Sequence, residues 1–168
     1  IPVAYDVDVA VIGGSLAAVA AAVEASRAGA KVFLAAQEPY LGEDVCGTYR
    51  YWTDNKSVLK TELGEQIFGE GLPTPLHVKH TLDNALINYN VDFLYSSYVT
   101  DVLTDNSGNP AGVVMANRSG RQAVIAKTII DATPRALVAK MAGTGFGVYP
   151  SGKQKFKFTV VGNELKDI

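Results

Sequence analysis

The stretch Val7-Asp8-Val9-Ala10-Val11-Ile12-Gly13-Gly14-Ser15-Leu16-Ala17-Ala18-Val19-Ala20-Ala21-Ala22-Val23-Glu24-Ala25-Ser26-Arg27-Ala28-Gly29-Ala30-Lys31-Val32-Phe33-Leu34-Ala35-Ala36 decides the fold. An apolar strand over Val7 to Ile12 runs straight into two glycines. A small-residue helix follows, about Leu16 to Ala28, and Gly29 closes it. A second apolar strand runs from Lys31 to Ala35. This is a βαβ unit, and its short strand-to-helix turn marks a site for a nucleotide diphosphate. The turn has to be tight, which calls for glycine. The first-turn amides then face a pyrophosphate at the positive end of the helix.

The dinucleotide fingerprint G-x-G-x-x-G is only partly present. Gly13 fills its first position, Ser15 stands at the second and Ala18 at the third. Ala18 still permits close helix-to-strand packing. The Ser15 hydroxyl can meet phosphate or cap the helix. An acid commonly ends the second strand and binds ribose hydroxyls. Here Ala36 holds that place, followed by Gln37 and Glu38. Glu38 reads equally as a ribose contact and as a solvated residue before Pro39.

Working outward, the chain offers one core and few charges. Its 168 residues are 48% apolar with a formal charge of −2. That balance gives no electrostatic case for nucleic acid or acidic membranes. No apolar run is long enough to span a bilayer. A single cysteine, Cys46, excludes an internal disulfide and a cysteine-based metal site. The first residue is Ile1, which fits a processed terminus or a trimmed chain, so the compartment is open: cytoplasmic, or extracytoplasmic if Ile1 is a processed end. Two acceptor triplets, Asn55-Lys56-Ser57 and Asn117-Arg118-Ser119, matter only in a glycosylating compartment.

Ile1 to Asp6 reads as a lead-in. In the first helix Leu16, Val19, Ala20 and Val23 are expected to face the sheet. Glu24 and Arg27 can pair on its outer face. Residues 53–75 form a polar, glycine-containing excursion with a short helix near 57–67. Leu76 to Asn90 reads as a helix buried along Val78, Leu82, Ala85, Leu86 and Tyr89. His77 and His80 lie off that stripe; their spacing allows a metal, but a solvated face is the stronger reading. Val91 to Leu94 is a short strand. A meander follows over 97–104, 111–117 and 122–126, then a further apolar strand over 127–132. Arg135 to Met141 is a short helix, and Phe156, Phe158 and Val160 alternate as in a half-buried strand.

This order of elements resembles FAD-dependent oxidoreductases of the glutathione-reductase-like class, closest to the fumarate reductase and succinate dehydrogenase flavoprotein branch. V-I-G-G-S-L-A-A-V-A-A-A resembles the opening fingerprint. P-Y-L-G-E resembles the L-G-G after the second strand, with Glu43 for the last glycine. S-S-Y-V-T-D-V resembles the segment beside the adenine. I-I-D-A-T-P resembles I-D-A-T-G, with Pro134 for glycine. The resemblance implies an α/β Rossmann-like FAD-binding domain over 1–145, with a parallel sheet and a three-stranded antiparallel meander. Residues 146–168 would begin a strand of the substrate domain. Gly13, Gly14, Ser15 and Ala18 would serve the pyrophosphate turn. Ala36, Gln37, Glu38 and Val99 would meet the adenosine, and Leu41, Gly42 and Cys46 would lie toward the flavin, with Ala132 and Thr133 on the rim.

The resemblance also leaves alternatives open. Cys46 lies 33 residues after Gly13, near where that branch carries its flavin-bonded histidine. It reads as a covalent FAD attachment or, more plainly, as a small buried residue. Arg50, among Tyr49, Tyr51 and Trp52, is a candidate catalytic clamp for an anionic small-molecule substrate. The family completes this domain with later chain, so a partner chain or further polypeptide is expected. The main expectation is the FAD-binding part of an oxidoreductase that moves hydride between a small organic substrate and FAD. The alternative is a structural or assembly subunit that keeps the fold and binds no cofactor. A nicotinamide-binding module is disfavoured by the missing ribose acid.

Overall fold

The computed structural model describes residues 1–53, 60–156 and 162. The elements are β1 (Val3–Ile12), α1 (Leu16–Arg27), β2 (Val32–Ala35), α2 (Glu43–Cys46), α3 (Glu62–Phe68), α4 (Pro75–Asn88), β3 (Asp92–Leu94), β4 (Tyr98–Thr104), β5 (Pro110–Asn117), β6 (Gly120–Asp131) and α5 (Leu137–Met141). The strands form one six-stranded sheet in the order β3-β2-β1-β6-β5-β4. Pairings among β3, β2, β1 and β6 are parallel, and those from β6 to β5 to β4 are antiparallel. The α/β Rossmann-like fold with a meander is therefore present.

The apolar runs are continuous because the central strands are covered on both faces. On one face Val11, Val32 and Leu34 pack with Val19 and Val23 of α1 and Val78, Leu82 and Leu86 of α4. On the other, Ala10, Ile12, Phe33 and Ala35 share a cluster with Val99, Val113, Met115, Val124 and Val138. The meander and α5 thus form the second cover.

Three expectations are corrected. The lead-in Val3 to Asp6 belongs to β1, where it pairs with residues 123–125 of β6. The strands expected over 122–126 and 127–132 are one strand, β6. Its first half pairs with both β1 and β5, and its last residues with β1. The polar Lys127 looked like a break, but its side chain points outward to Asp8 at 2.7 Å. On α1 the fully covered positions are Ala18, Val19, Ala22 and Val23, while Leu16 and Ala20 are half-buried. An alanine-rich helix offers too little polar contrast to show which side is inward.

The remaining elements lie close to expectation. Glu24 pairs with Arg27 at 3.3 Å, and Arg27 also bonds Glu62 and Tyr89, tying α1 to α3 and α4. The buried stripe of α4 is Val78, Leu82, Ala85 and Leu86, with Tyr89 half-buried beyond it. His77 and His80 are exposed, and His77 Nε2 lies 2.8 Å from the Gln66 carbonyl. No metal-holding group of three acids, histidines or cysteines occurs among the described residues. No helix among them is long and apolar enough to cross a membrane. The first part of the helix expected near 57–67 and most of the strand expected from Phe156 lie outside the described residues. Phe156 itself is exposed.

Candidate functional site

The parallel strands end together, and a set of backbone hydrogen bonds ties their ends into a rim. Gly13 N–H donates to Ala35 O at 2.9 Å and Ala132 N–H to Ile12 O at 2.8 Å. Gly42 N–H donates to Gly14 O at 2.7 Å. Ala36 N–H donates to Leu94 O, and Ala36 O accepts from Ser97 N–H, both at 2.9 Å. The chain leaves β1 toward β2 on one side and meets β6 on the other. Gly13 and Ala132 therefore flank the switch point where open α/β sheets bind ligands.

Glycine at position 13 is required by geometry. Its φ is +137°, and a Cβ there would stand 2.6 Å from the Ala132 carbonyl oxygen. The Ser15 side chain caps α1 by accepting from Ala18 N–H at 3.2 Å. Ala18 is fully buried beneath the turn. Among the described residues, no protein acceptor stands on the Ser15 and Ala17 N–H groups. Two amides at the positive end of a twelve-residue helix are thus open to an anion.

The other predicted residues divide between rim and periphery. Ala36, Leu41 and Gly42 are buried, Gln37 is half-buried and Glu38 is exposed. Gly42 takes φ +79°, and a Cβ there would come within 3.0 Å of Val78 and Leu82 side chains. Val99 is buried in the meander-side cluster, two residues past the Ser97 contact to Ala36. Thr133 is engaged in the turn after β6: its hydroxyl donates to Asp131 at 2.6 Å and accepts from Leu137 N–H at 2.8 Å. Asp131 also accepts from Ala139 N–H at 2.9 Å. Burial pushes the Asp131 carboxyl up, but the Thr133 hydroxyl and the Ala139, Thr133 and Val138 amides hold it below its ordinary value.

Cys46 is buried between α2 and α4, with Sγ 3.8 Å from the Pro75 carbonyl oxygen. Burial pushes its thiol pKa up, against the pull of Lys79 and Tyr51. A protonated, covered thiol is a poor nucleophile. Arg50 is exposed and lines a cleft beside α1 with Leu16, Asp44 and Trp52. The structure thus gathers the turn, strand-end and Leu41-Gly42 residues, with Cys46 packed directly against Gly42 and Arg50 on the cleft beside α1.

Two residues in this arrangement were not legible as partners of the turn. Asp44 Oδ1 accepts from Leu16 N–H at 3.0 Å. The Glu43 carboxyl lies close to Gly14, with Oε2 3.8 Å from where a Cβ on Gly14 would stand. Loss of hydration at the turn pushes both carboxyls above their ordinary values, although Asp44 as a whole residue is exposed, and for Glu43 the charges of Asp44 and Glu38 push the same way. The one available signal was the acid pair directly after the L-G turn.

Residues 8–157 match the sequence profile of the FAD dependent oxidoreductase family. The chain belongs to that family. Its cofactor is accordingly FAD, and the site described fits one: a cradle with no room for a Cβ and two open helix amides at the strand switch point. Among solved structures, THI4 from Thermovibrio ammonificans is 15% identical with a TM-score of 0.65, covering 86% of this chain and 64% of its own. A geranylgeranyl bacteriochlorophyll reductase-like protein from Thermoplasma acidophilum is 16% identical with a TM-score of 0.62, over 83% of this chain and 42% of its own. A flavocytochrome c3 fumarate reductase is 15% identical with a TM-score of 0.53, over 77% of this chain and 34% of its own. At these identities the likeness is one of fold. The chain spans less than two thirds of each of these structures. No curated protein sequence matches it at a significant level.

Proposed function

We propose that this FAD dependent oxidoreductase chain is the dinucleotide-binding portion of an enzyme that moves hydride between a small organic substrate and FAD. The observation that carries the reading is the Gly13 turn. Its geometry excludes any side chain, and it presents the open Ser15 and Ala17 amides at the strand switch point. FAD, when bound, supplies the two-electron acceptor chemistry. The Ser15 and Ala17 N–H groups would hold its pyrophosphate. Ala36, Gln37 and the backbone near Val99 would meet the adenosine, with Glu38 at the exposed margin. Leu41, Gly42, Ala132 and Thr133 would form the floor on the flavin side and exclude water there. Ala18 lets α1 sit close under the turn. The buried, raised Cys46 thiol supports non-covalent binding, with Cys46 as packing. Arg50, from the cleft beside α1, would bind an anionic substrate group.

The exposed Phe146, Val148 and Tyr149 support further polypeptide, from this protein or a partner, covering that segment. Anaerobic titration of the flavin-loaded native protein with small organic hydride donors tests the reading. Bleaching by one such donor with two-electron stoichiometry is the expected result. Reduction by one-electron donors alone would replace hydride transfer with electron transfer.

A further inference from the structure

The first turn of α1 already holds an anion of its own. The Asp44 carboxylate sits on Leu16 N–H at 3.0 Å, and the Glu43 carboxyl lies close to Gly14. The Leu16 amide lies between the open Ser15 and Ala17 N–H groups, so a pyrophosphate drawn to the open pair arrives beside two carboxylates. We propose that Asp44, with Glu43 beside it, is an internal stand-in for the pyrophosphate: it holds the α1 amide of Leu16 and leaves it when the dinucleotide binds. This rests on the reading of the turn as the FAD site.

The surroundings let the side chain leave without disturbing the fold. Asp44 is an exposed residue on α2, whose base is fixed. Gly42 N–H bonds Gly14 O at 2.7 Å, and Val45 and Cys46 are buried. Thr48 Oγ1 donates to the Asp44 main-chain carbonyl at 2.7 Å, which holds the backbone independently of the side chain. Two negative groups cannot share one amide proton without strong repulsion at this range. A neutral amide in place of the carboxylate keeps an acceptor for Leu16 N–H and removes the repulsion. Ligand discrimination follows: the contact opposes diphosphates and is indifferent to an uncharged flavin.

The test is calorimetric binding of FAD, ADP and riboflavin to the flavin-stripped native protein, comparing wild type with Asp44→Asn and Asp44→Ala. The Asn variant is expected to bind FAD and ADP about tenfold more tightly, with riboflavin unchanged. The Ala variant is expected to shift in the same direction, which guards against a particular effect of asparagine. Unchanged or weaker FAD binding in both variants overturns the stand-in role and makes Asp44 a support of the cradle. A gain for riboflavin as large as that for FAD overturns it too, because charge is then not the cause. If wild type and variants all fail to bind FAD, the FAD reading of the turn falls, and this inference with it.

Discussion

Gly13 carries two constraints at one position. Its φ of +137° disfavours any side chain, and a Cβ would strike the Ala132 carbonyl at 2.6 Å. Gly13→Ala should therefore destabilise the chain by about 3 kcal/mol, read from urea denaturation of the native protein. A loss below about 0.5 kcal/mol would mean that the turn relaxes and that the close contact to β6 is not what requires glycine. The requirement for glycine was legible, because a tight strand-to-helix turn is a local property. Its partner was not, since Ala132 meets Gly13 only through the β1–β6 pairing. The same holds for Asp44, which reaches Leu16 across 28 residues of sequence. Ser15 was legible in one of its two readings: the hydroxyl caps the helix.

Periodicity carried the elements that have strong apolar contrast. The α4 stripe of Val78, Leu82, Ala85 and Leu86 was readable because polar residues separate its members. The inward side of α1 was misjudged because alanine surrounds the helix. The continuity of β6 was hidden by a polar residue whose side chain points to Asp8. The turn after β6 yields a pH prediction. Asp131 is held below its ordinary value by the Thr133 hydroxyl and by the Ala139, Thr133 and Val138 amides, against burial. A carboxylate whose folded pKa lies below its unfolded one contributes stability above the unfolded value, about 3.9, and loses it as pH falls through the folded value. Acid unfolding below about pH 4 should thus include an Asp131 contribution that Asp131→Asn removes. At pH 7 the variant should cost about 1 kcal/mol, because the α5 amides lose a charged acceptor. Identical acid limbs for wild type and variant would show that α5 is held by other contacts.

At the scale of the molecule, a sheet covered on both faces brings the ends of β1, β2 and β6 to one rim. The first thirty-six residues announced that rim, and the family match over 8–157 agrees with it. What lies beyond the rim was legible only by resemblance, because the chain covers 64% of the THI4 structure and 34% of the fumarate reductase structure. The central claim is that this rim holds FAD without a covalent bond. It is tested most directly by a visible absorption spectrum of the native protein, repeated after acid denaturation and removal of small molecules. The account predicts a flavin spectrum that departs with the small molecules, as FAD. A native protein without flavin that also fails to take up added FAD would contradict the claim at its base. A flavin spectrum that stays with the chain would contradict the reading of Cys46 as a buried packing residue.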